Sequence, residues 1–273
     1  MTANIPLSSK QIILVLLFTM AISVFLLLDT FRPSNILDSS ETTTTTTVPC
    51  KFQSDQPAAD VDQQEESDSV PRRCVFLDLG ANRADTLKVF LKEPDAKFKY
   101  DFPVPFWATH ETCEIYLFEA NPLFTPALKN ASVEYNAKGI NVTVFPETAV
   151  AAVDGSITLH LDTTTVEHDF WGSSILDEDS NRPSVVISAI DISTWIMKNF
   201  KPRDYVLVKM DIEKAEYNVL PRMLEVEAWK VMDVLLIEFH DPPRLNNGIR
   251  DIAMAATVKL SEHVFIPHYD SPS

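Results

Sequence analysis

The sequence predicts an α/β fold built on a mostly parallel, doubly wound sheet, and three observations carry that expectation. Beyond residue 73, short apolar runs alternate with longer stretches compatible with amphipathic helix. The short runs are nearly continuous in Val, Ile, Leu and Phe, as strands are when covered on both faces. Two other runs alternate by period two, the mark of an inserted antiparallel pair with one solvated face.

Taken in order, residues 75–79 (VFLDL) read as a short buried strand that ends at Gly80, with a helix through about 91. Residues 114–118 (EIYLF) form the second strand. The next helix runs from 121 to 136, with Pro122 in its first turn, where a missing N–H costs nothing. The third strand is 142–145, and 157–161 with 185–189 make the antiparallel pair. A helix over 193–199, a core strand at 205–210 (YVLVKM) and a helix over 213–224 follow. Residues 234–239 (VLLIEF) are the next strand, 249–262 the next helix, and 264–266 a last apolar run. The sequence ends soon after that run, where a sheet of this kind normally adds an antiparallel strand. The expectation is a sheet one strand short or a truncated sequence.

Composition narrows the function classes. A 45% hydrophobic and 10% aromatic content in 273 residues excludes a wholly disordered chain. Lys and Arg number 23 against 39 Asp and Glu, a net charge of −16, which argues against nucleic acid as a partner. Three cysteines are too few for a disulfide-built scaffold and lack zinc-finger spacing.

The chain is expected to divide into a cytosolic tail (1–10), a transmembrane signal anchor (11–28), a disordered stalk (29–72) and a folded head (73–273). Residues 12–28 (IILVLLFTMAISVFLLL) hold no charge; with Gln11 they make 18 residues, about 27 Å as a helix. No small-residue cleavage site follows Leu28. Lys10 before the span, and Arg32 partly offset by Asp29 after it, favour a head in the lumen of the secretory pathway. A short span suits the thinner membranes of the ER or Golgi. The stalk carries a threonine run from Thr42 to Thr47 and nine acids against three bases, too polar to bury a core. Two N-x-[ST] sites, at Asn130 and Asn141, agree with a lumenal head. Cys74 and Cys113 each precede a strand expected to be a neighbour of the other, so an oxidising lumen would allow them to bridge if the register does. Cys50 would then be left over in the stalk.

In doubly wound sheets, ligands bind beyond the carboxyl ends of the strands, where strand order reverses. After the first strand come Asp78-Leu-Gly80-Ala-Asn82. A glycine there lets backbone approach a ligand, or simply makes a turn. The second strand ends in Glu119, an acid placed to accept both hydroxyls of a ribose or to cap a helix. Asp211, Glu213 and the pair Glu238 and His240 end two further strands. Transfer of a group to a hydroxyl needs a base within reach of its proton. His240, with an unperturbed pKa near neutrality, is one candidate; satisfying local backbone is the alternative reading of both His240 and Glu238.

The pieces VFLDLGANRADT, IYLFEANP, TAVAAVDGSITLHL, GSSIL, Ile190-Asp191 before a helix, LVKMDIEKAEYNVL and LLIEFH stand in one order over residues 75–240. Together they resemble the FkbM family of S-adenosylmethionine-dependent methyltransferases. The resemblance implies a Rossmann-like class I methyltransferase fold and methylation of a hydroxyl oxygen, with S-adenosylmethionine as cofactor. It places Asp78, Gly80 and Asn82 in the cofactor loop and Glu119 on the ribose, with Asn121 in the same segment. Lys209, Asp211, Glu213 and Glu216 match the family's Lys-x-Asp-x-Glu-Gly-x-Glu. Asp211, Glu213 and His240 are then the candidate catalytic residues, and no metal is assigned, since two acids do not identify one. Ala84 and Lys214 stand where the pattern has glycine. The alanine is a mild change; the lysine puts a long cation beside the acidic cluster.

The expected function is a membrane-anchored, lumen-facing O-methyltransferase acting on a glycan or small-molecule hydroxyl. A nucleotide-sugar glycosyltransferase using Asp177 and Asp179 with a metal, and an inactive binding or scaffold protein, are the alternatives. Residues 92–112, rich in aromatics and proline, either cover the acceptor pocket or pack on the core or sheet edge. Gly172-Ser173-Ser174 has no place assigned by sequence.

Overall fold

The computed structural model describes residues 71–163, 172–175, 181–240 and 247–269. The anchor at 11–28, the stalk as far as residue 70, and Asp177 and Asp179 lie outside them. Among the described residues no helix is long and apolar enough to cross a membrane.

The main sheet holds five parallel strands: β1 (Cys74–Leu79), β2 (Glu114–Glu119), β3 (Val142–Pro146), β7 (Tyr205–Met210) and β8 (Val234–Ile237), in the order β3-β2-β1-β7-β8. The chain steps outward from β1 to β3, then returns to the other side of β1 with β7. Strand order therefore reverses between β1 and β7, and the crevice at their carboxyl ends is the expected binding position. All six residues of β1 are buried, as a central parallel strand requires.

Helices cover both faces. Helices α1 (Asp85–Phe90) and α2 (Thr125–Ala137) pack on one face around Phe76, Leu87, Phe90 and Leu128. On the other, α3 (Ile192–Asn199), α4 (Glu216–Glu225) and α5 (Asn247–Leu260) pack around Val208, Ile196, Leu220 and Ala253. Asp191 caps α3 by accepting from Thr194 N–H at 3.0 Å, and the same carboxylate accepts from Arg222 of α4 at 2.9 Å. One side chain thus starts a helix and ties it to its neighbour.

A second sheet is formed by β4 (Thr148–Ala151), β5 (Gly155–His160) and β6 (Ser184–Asp191) in the order β4-β6-β5. The expected antiparallel pair is β5 with β6. The added strand, β4, runs parallel to β6. Its four residues are too few for a periodic signal, and its partner lies more than thirty residues on. The last apolar run makes a single parallel bridge, Val234 with Phe265. Helix α4 begins at Glu216 rather than 213, because Glu213 and Lys214 both have positive φ (50° and 84°).

Residues 92–112 pack on the core through Phe98, Tyr100, Phe102 and Val104, while Phe106 and Trp107 are exposed. Phe102 is buried against Phe76 and Phe90, and Tyr205 donates its hydroxyl to Pro103 O at 3.1 Å. Lys97 and Phe98 alone from this segment line the cavity described below.

The register pairs Val75 with Glu114, so Cys74 meets Cys113 just beyond the paired strand ends, and the two are disulfide-bonded with Cα atoms 4.5 Å apart. The sequence separation is 39; closing a loop of that length removes chain entropy worth about 4 kcal/mol from the unfolded state. The Cys74→Ala/Cys113→Ala variant is expected to lose about 2–4 kcal/mol in urea unfolding, matched by the reduced native chain. A loss below about 1 kcal/mol would show that the bond adds nothing beyond strand pairing.

Candidate active site

The carboxyl ends of β1, β2, β7 and β8 open into one cavity of about 370 Å³, within the range of small-ligand sites. It is lined by Gly80, Asn82, Glu119 and Asn121 and, beside them, by Asp211, Glu213, Glu238 and His240. The two groups that the sequence singles out thus face the same space.

The loop after β1 is shaped by backbone. Gly80 has φ +87°, and a Cβ there would lie 1.8 Å from the carbonyl oxygen of Asp211. The glycine is needed because two chain segments meet, a requirement separate from ligand approach. Asn82 and Ala84 also have positive φ (49° and 66°). Ala84 and Lys214 both keep the left-handed backbone that glycine adopts most easily, so these departures from the family pattern leave the turns intact at a cost in local strain. Lys214 is absent from the cavity lining, and its charge is a minor influence on Glu213. The expected cation is therefore beside Glu213, on which its charge acts weakly, without forming part of the cavity lining.

Glu119 is buried and binds protein before any ligand. Its Oε2 accepts from Asn82 N–H and its Oε1 from Asn121 N–H, each at 2.7 Å. Each oxygen keeps a further lone pair for a hydroxyl. Burial pushes the carboxyl up to about 7, against the two backbone donors and Lys209. Asn121 is also committed: its Oδ1 caps the turn Pro122–Phe124 through Leu123 N–H at 3.0 Å, and its Nδ2 donates to Ser173 Oγ at 3.1 Å. Ser173 lines the cavity, while Ser174 donates to Glu213 O at 2.7 Å. The Gly172-Ser173-Ser174 segment therefore joins the cofactor side to the acidic side, a placement that depends on chain crossing.

Beneath the floor, Asp78 is wholly buried and does not line the cavity. Lys209 Nζ lies 3.2 Å from Asp78 Oδ1 and 3.1 Å from Asp211 Oδ2, and donates to Gly80 O at 3.0 Å. Neither Asp78 oxygen has a well-directed hydrogen bond among the described residues, so the contact with Lys209 is chiefly ionic. Burial pushes Asp78 up to about 6, partly offset by the Lys209 charge. Burial alone would lower Lys209, but Asp211 and Asp78 raise its pKa and keep it charged. Asp78 thus supports the cofactor loop through Lys209 and the Gly80 carbonyl. Its role in the loop is indirect.

At the acidic end, His240 Nδ1 is 2.9 Å from Glu216 Oε1, which also accepts from Ile212 N–H at 3.1 Å. His240 Nε2 faces Glu213 Oε1 at 3.5 Å, Asp211 Oδ1 at 3.6 Å and Glu238 Oε1 at 3.9 Å. Burial would lower the imidazole pKa, but the bond to Glu216 and the charges of Glu213, Glu216 and Asp211 raise it to about 9. Three carboxylates thus outweigh desolvation and favour the protonated imidazole, which weighs against the expectation of His240 as a ready base. Burial pushes Glu213 up to about 7, opposed by His240. Glu216 lay in the sequence motif, yet its function in orienting His240 needed the fold, because its partner is 24 residues away.

Asn82, which lines the cavity, has its Oδ1 buried without a hydrogen-bond partner among the described residues, Glu119 has acceptor capacity left, and the wall carries an excess of acids that suits a cationic ligand.

A family model for the methyltransferase FkbM domain matches residues 78–265. Among solved structures the chain is similar to the crystal structure of methyltransferase FkbM from Methylobacillus flagellatus KT, with 15% sequence identity and a TM-score of 0.32. That similarity covers 58% of this chain and 32% of the other, so this chain spans about a third of that protein's length. No curated protein matches.

Proposed function

Because this chain belongs to the FkbM methyltransferase family, we propose that it transfers a methyl group from S-adenosylmethionine to a hydroxyl oxygen. The observation that carries this reading is the single cavity joining Gly80, Asn82 and Glu119 to Asp211, Glu213, Glu238 and His240. Bound S-adenosylmethionine supplies an electrophilic methyl on a sulfonium.

The chain's own residues do the rest by position and charge. Glu119 accepts ribose hydroxyls while its backbone partners hold the loop at Asn82 and the turn at Asn121. Asn82 Oδ1 offers an acceptor that the protein leaves unused. The acidic wall favours a cationic ligand over its neutral product, which aids release after transfer. Asp211, Glu213 and Glu238, in the same cavity, present carboxylates that orient an acceptor hydroxyl and take up its proton. His240, held by Glu216, keeps these carboxylates together.

We extend the reading to the whole chain: residues 11–28 anchor it, the head faces the lumen of the ER or Golgi, and the acceptor is a glycan or another secreted hydroxyl compound. The Cys74–Cys113 disulfide supports an oxidising compartment. The charge of −16 disfavours a nucleic-acid acceptor.

Calorimetric titration of S-adenosylmethionine into the chain tests the proposal. Glu119 accepts hydroxyls best when ionised, and its carboxyl is pushed up to about 7. Affinity is therefore expected to rise with pH up to about 7 and level off above it, with protons released on binding below that pH. The sign for stability is opposite. With the folded pKa raised, this group's contribution is full below the ordinary carboxylate range and lost as pH rises through about 7. Glu119→Gln should weaken binding by about 10–100-fold and flatten its pH dependence. No binding to folded chain at any pH would remove the cofactor, and with it the proposal.

A further inference from the structure

We infer that Asp211, Glu213 and His240 form a binding site for one divalent transition-metal ion at the acceptor end of the cavity. One ligand atom from each residue lies within 4.8 Å of the others. His240 Nε2 is 3.6 Å from Asp211 Oδ1 and 3.5 Å from Glu213 Oε1. Both distances exceed an N–H···O hydrogen bond, which closes to about 2.7–3.2 Å. They match atoms that share an ion: ligands held tetrahedrally at about 2.1 Å are roughly 3.4 Å apart.

An independent feature points the same way. Glu216 is fully buried, and its Oε1 is 2.9 Å from His240 Nδ1. Its other oxygen has no hydrogen-bond partner among the described residues. A buried carboxylate on the far nitrogen of an imidazole is the arrangement that orients metal-binding histidines: it accepts a hydrogen bond from Nδ1–H and so aims the Nε2 lone pair. With a metal ion in place of the Nε2 proton, that lone pair would face the gap between Asp211 and Glu213. The other oxygen of Asp211 is engaged by Lys209 at 3.1 Å, which fixes the carboxylate and leaves Oδ1 facing the gap. Ser174 steadies the third ligand by donating to the Glu213 carbonyl at 2.7 Å.

The donor set selects the class of ion. One imidazole nitrogen with two carboxylates suits Zn²⁺ or Mn²⁺, whereas Mg²⁺ and Ca²⁺ favour all-oxygen shells. Three protein ligands leave a coordination position open, and the residues line the cavity, so that position faces the acceptor. This last step rests on the methyltransferase reading. The ligand it implies is a hydroxyl oxygen, which coordination makes more acidic so that its proton passes to Glu238, the lining carboxylate outside the donor set.

Equilibrium dialysis of metal-stripped full-length chain against Zn²⁺ or Mn²⁺, without S-adenosylmethionine, tests the site separately from the cofactor. One ion per chain is expected, removable by chelator and not displaced by equal Mg²⁺. His240→Gln and Asp211→Asn should each weaken binding by about 100-fold, and Glu216→Gln by about 10–100-fold. A variant that fails to fold, judged by circular dichroism, is replaced by Glu213→Gln, which changes no buried orienting group. Substoichiometric uptake by the native chain, or uptake that folded His240→Gln or Glu213→Gln leaves unchanged, would overturn the inference. Either result leaves the cofactor titration to stand or fall by itself.

Discussion

Replacing Lys209 with methionine is expected to destabilise the head by about 3–5 kcal/mol, because it strands the carboxylate of Asp78. Asp78 is wholly buried, and Lys209 Nζ, 3.2 Å away, is the cation that compensates it. The same ammonium donates to the Gly80 carbonyl and pairs with Asp211, so its loss loosens the cofactor loop and the acidic wall together. The pH dependence distinguishes this from simple loss of packing. Asp78 already sits at about 6, so its contribution to stability is full below the ordinary carboxylate range and fades as pH rises through about 6. Without Lys209 that window moves to higher pH. Urea unfolding of Lys209→Met between pH 5 and 8 should show the deficit growing with pH, and Asp78→Asn/Lys209→Met should recover most of it. A deficit below about 1 kcal/mol at neutral pH would mean that water reaches Asp78.

Gly80→Ala is expected to be comparably severe, at about 2–5 kcal/mol, from two additive causes. The residue has φ +87°, and its new methyl would lie 1.8 Å from the carbonyl oxygen of Asp211. Neither backbone can give way freely. Gly80 N–H donates to Phe118 O at 3.0 Å, and Asp211 N–H donates to Leu79 O at 3.0 Å. The control is Gly139→Ala, where φ is +83° and nothing lies within 4 Å of a Cβ. It should cost only the left-handed strain, about 1 kcal/mol. Equal losses at the two glycines, read by the same unfolding measurement, would show that the contact with Asp211 relaxes.

The parts of this fold set by local pattern were legible in the sequence. The strands at 75–79, 114–118 and 205–210 are mostly apolar because parallel strands are covered on both faces, and β5 with β6 shows the alternation of a half-exposed pair. Strand β4 was hidden: its four residues have meaning only against β6. The site followed the same division. Strand ends announced Gly80, Glu119, Asp211 and Glu238, since chemistry in such sheets gathers there. What each residue does was less accessible. Gly80 clears the path of Asp211, Glu119 binds two backbone amides, and Glu216 sets the orientation of His240.

Sequence alone thus determined the α/β class, the central strands, the antiparallel pair and the set of polar residues at the strand ends. Side-chain periodicity is a local property, and it survives without knowledge of neighbours. Tertiary structure decided which of those residues share a cavity, that Cys74 meets Cys113, and that neighbouring carboxylates raise the proton affinity of His240 above that of an isolated imidazole. Charge and proton affinity depend on desolvation and on groups brought together across the chain, and both exist only once the chain has folded.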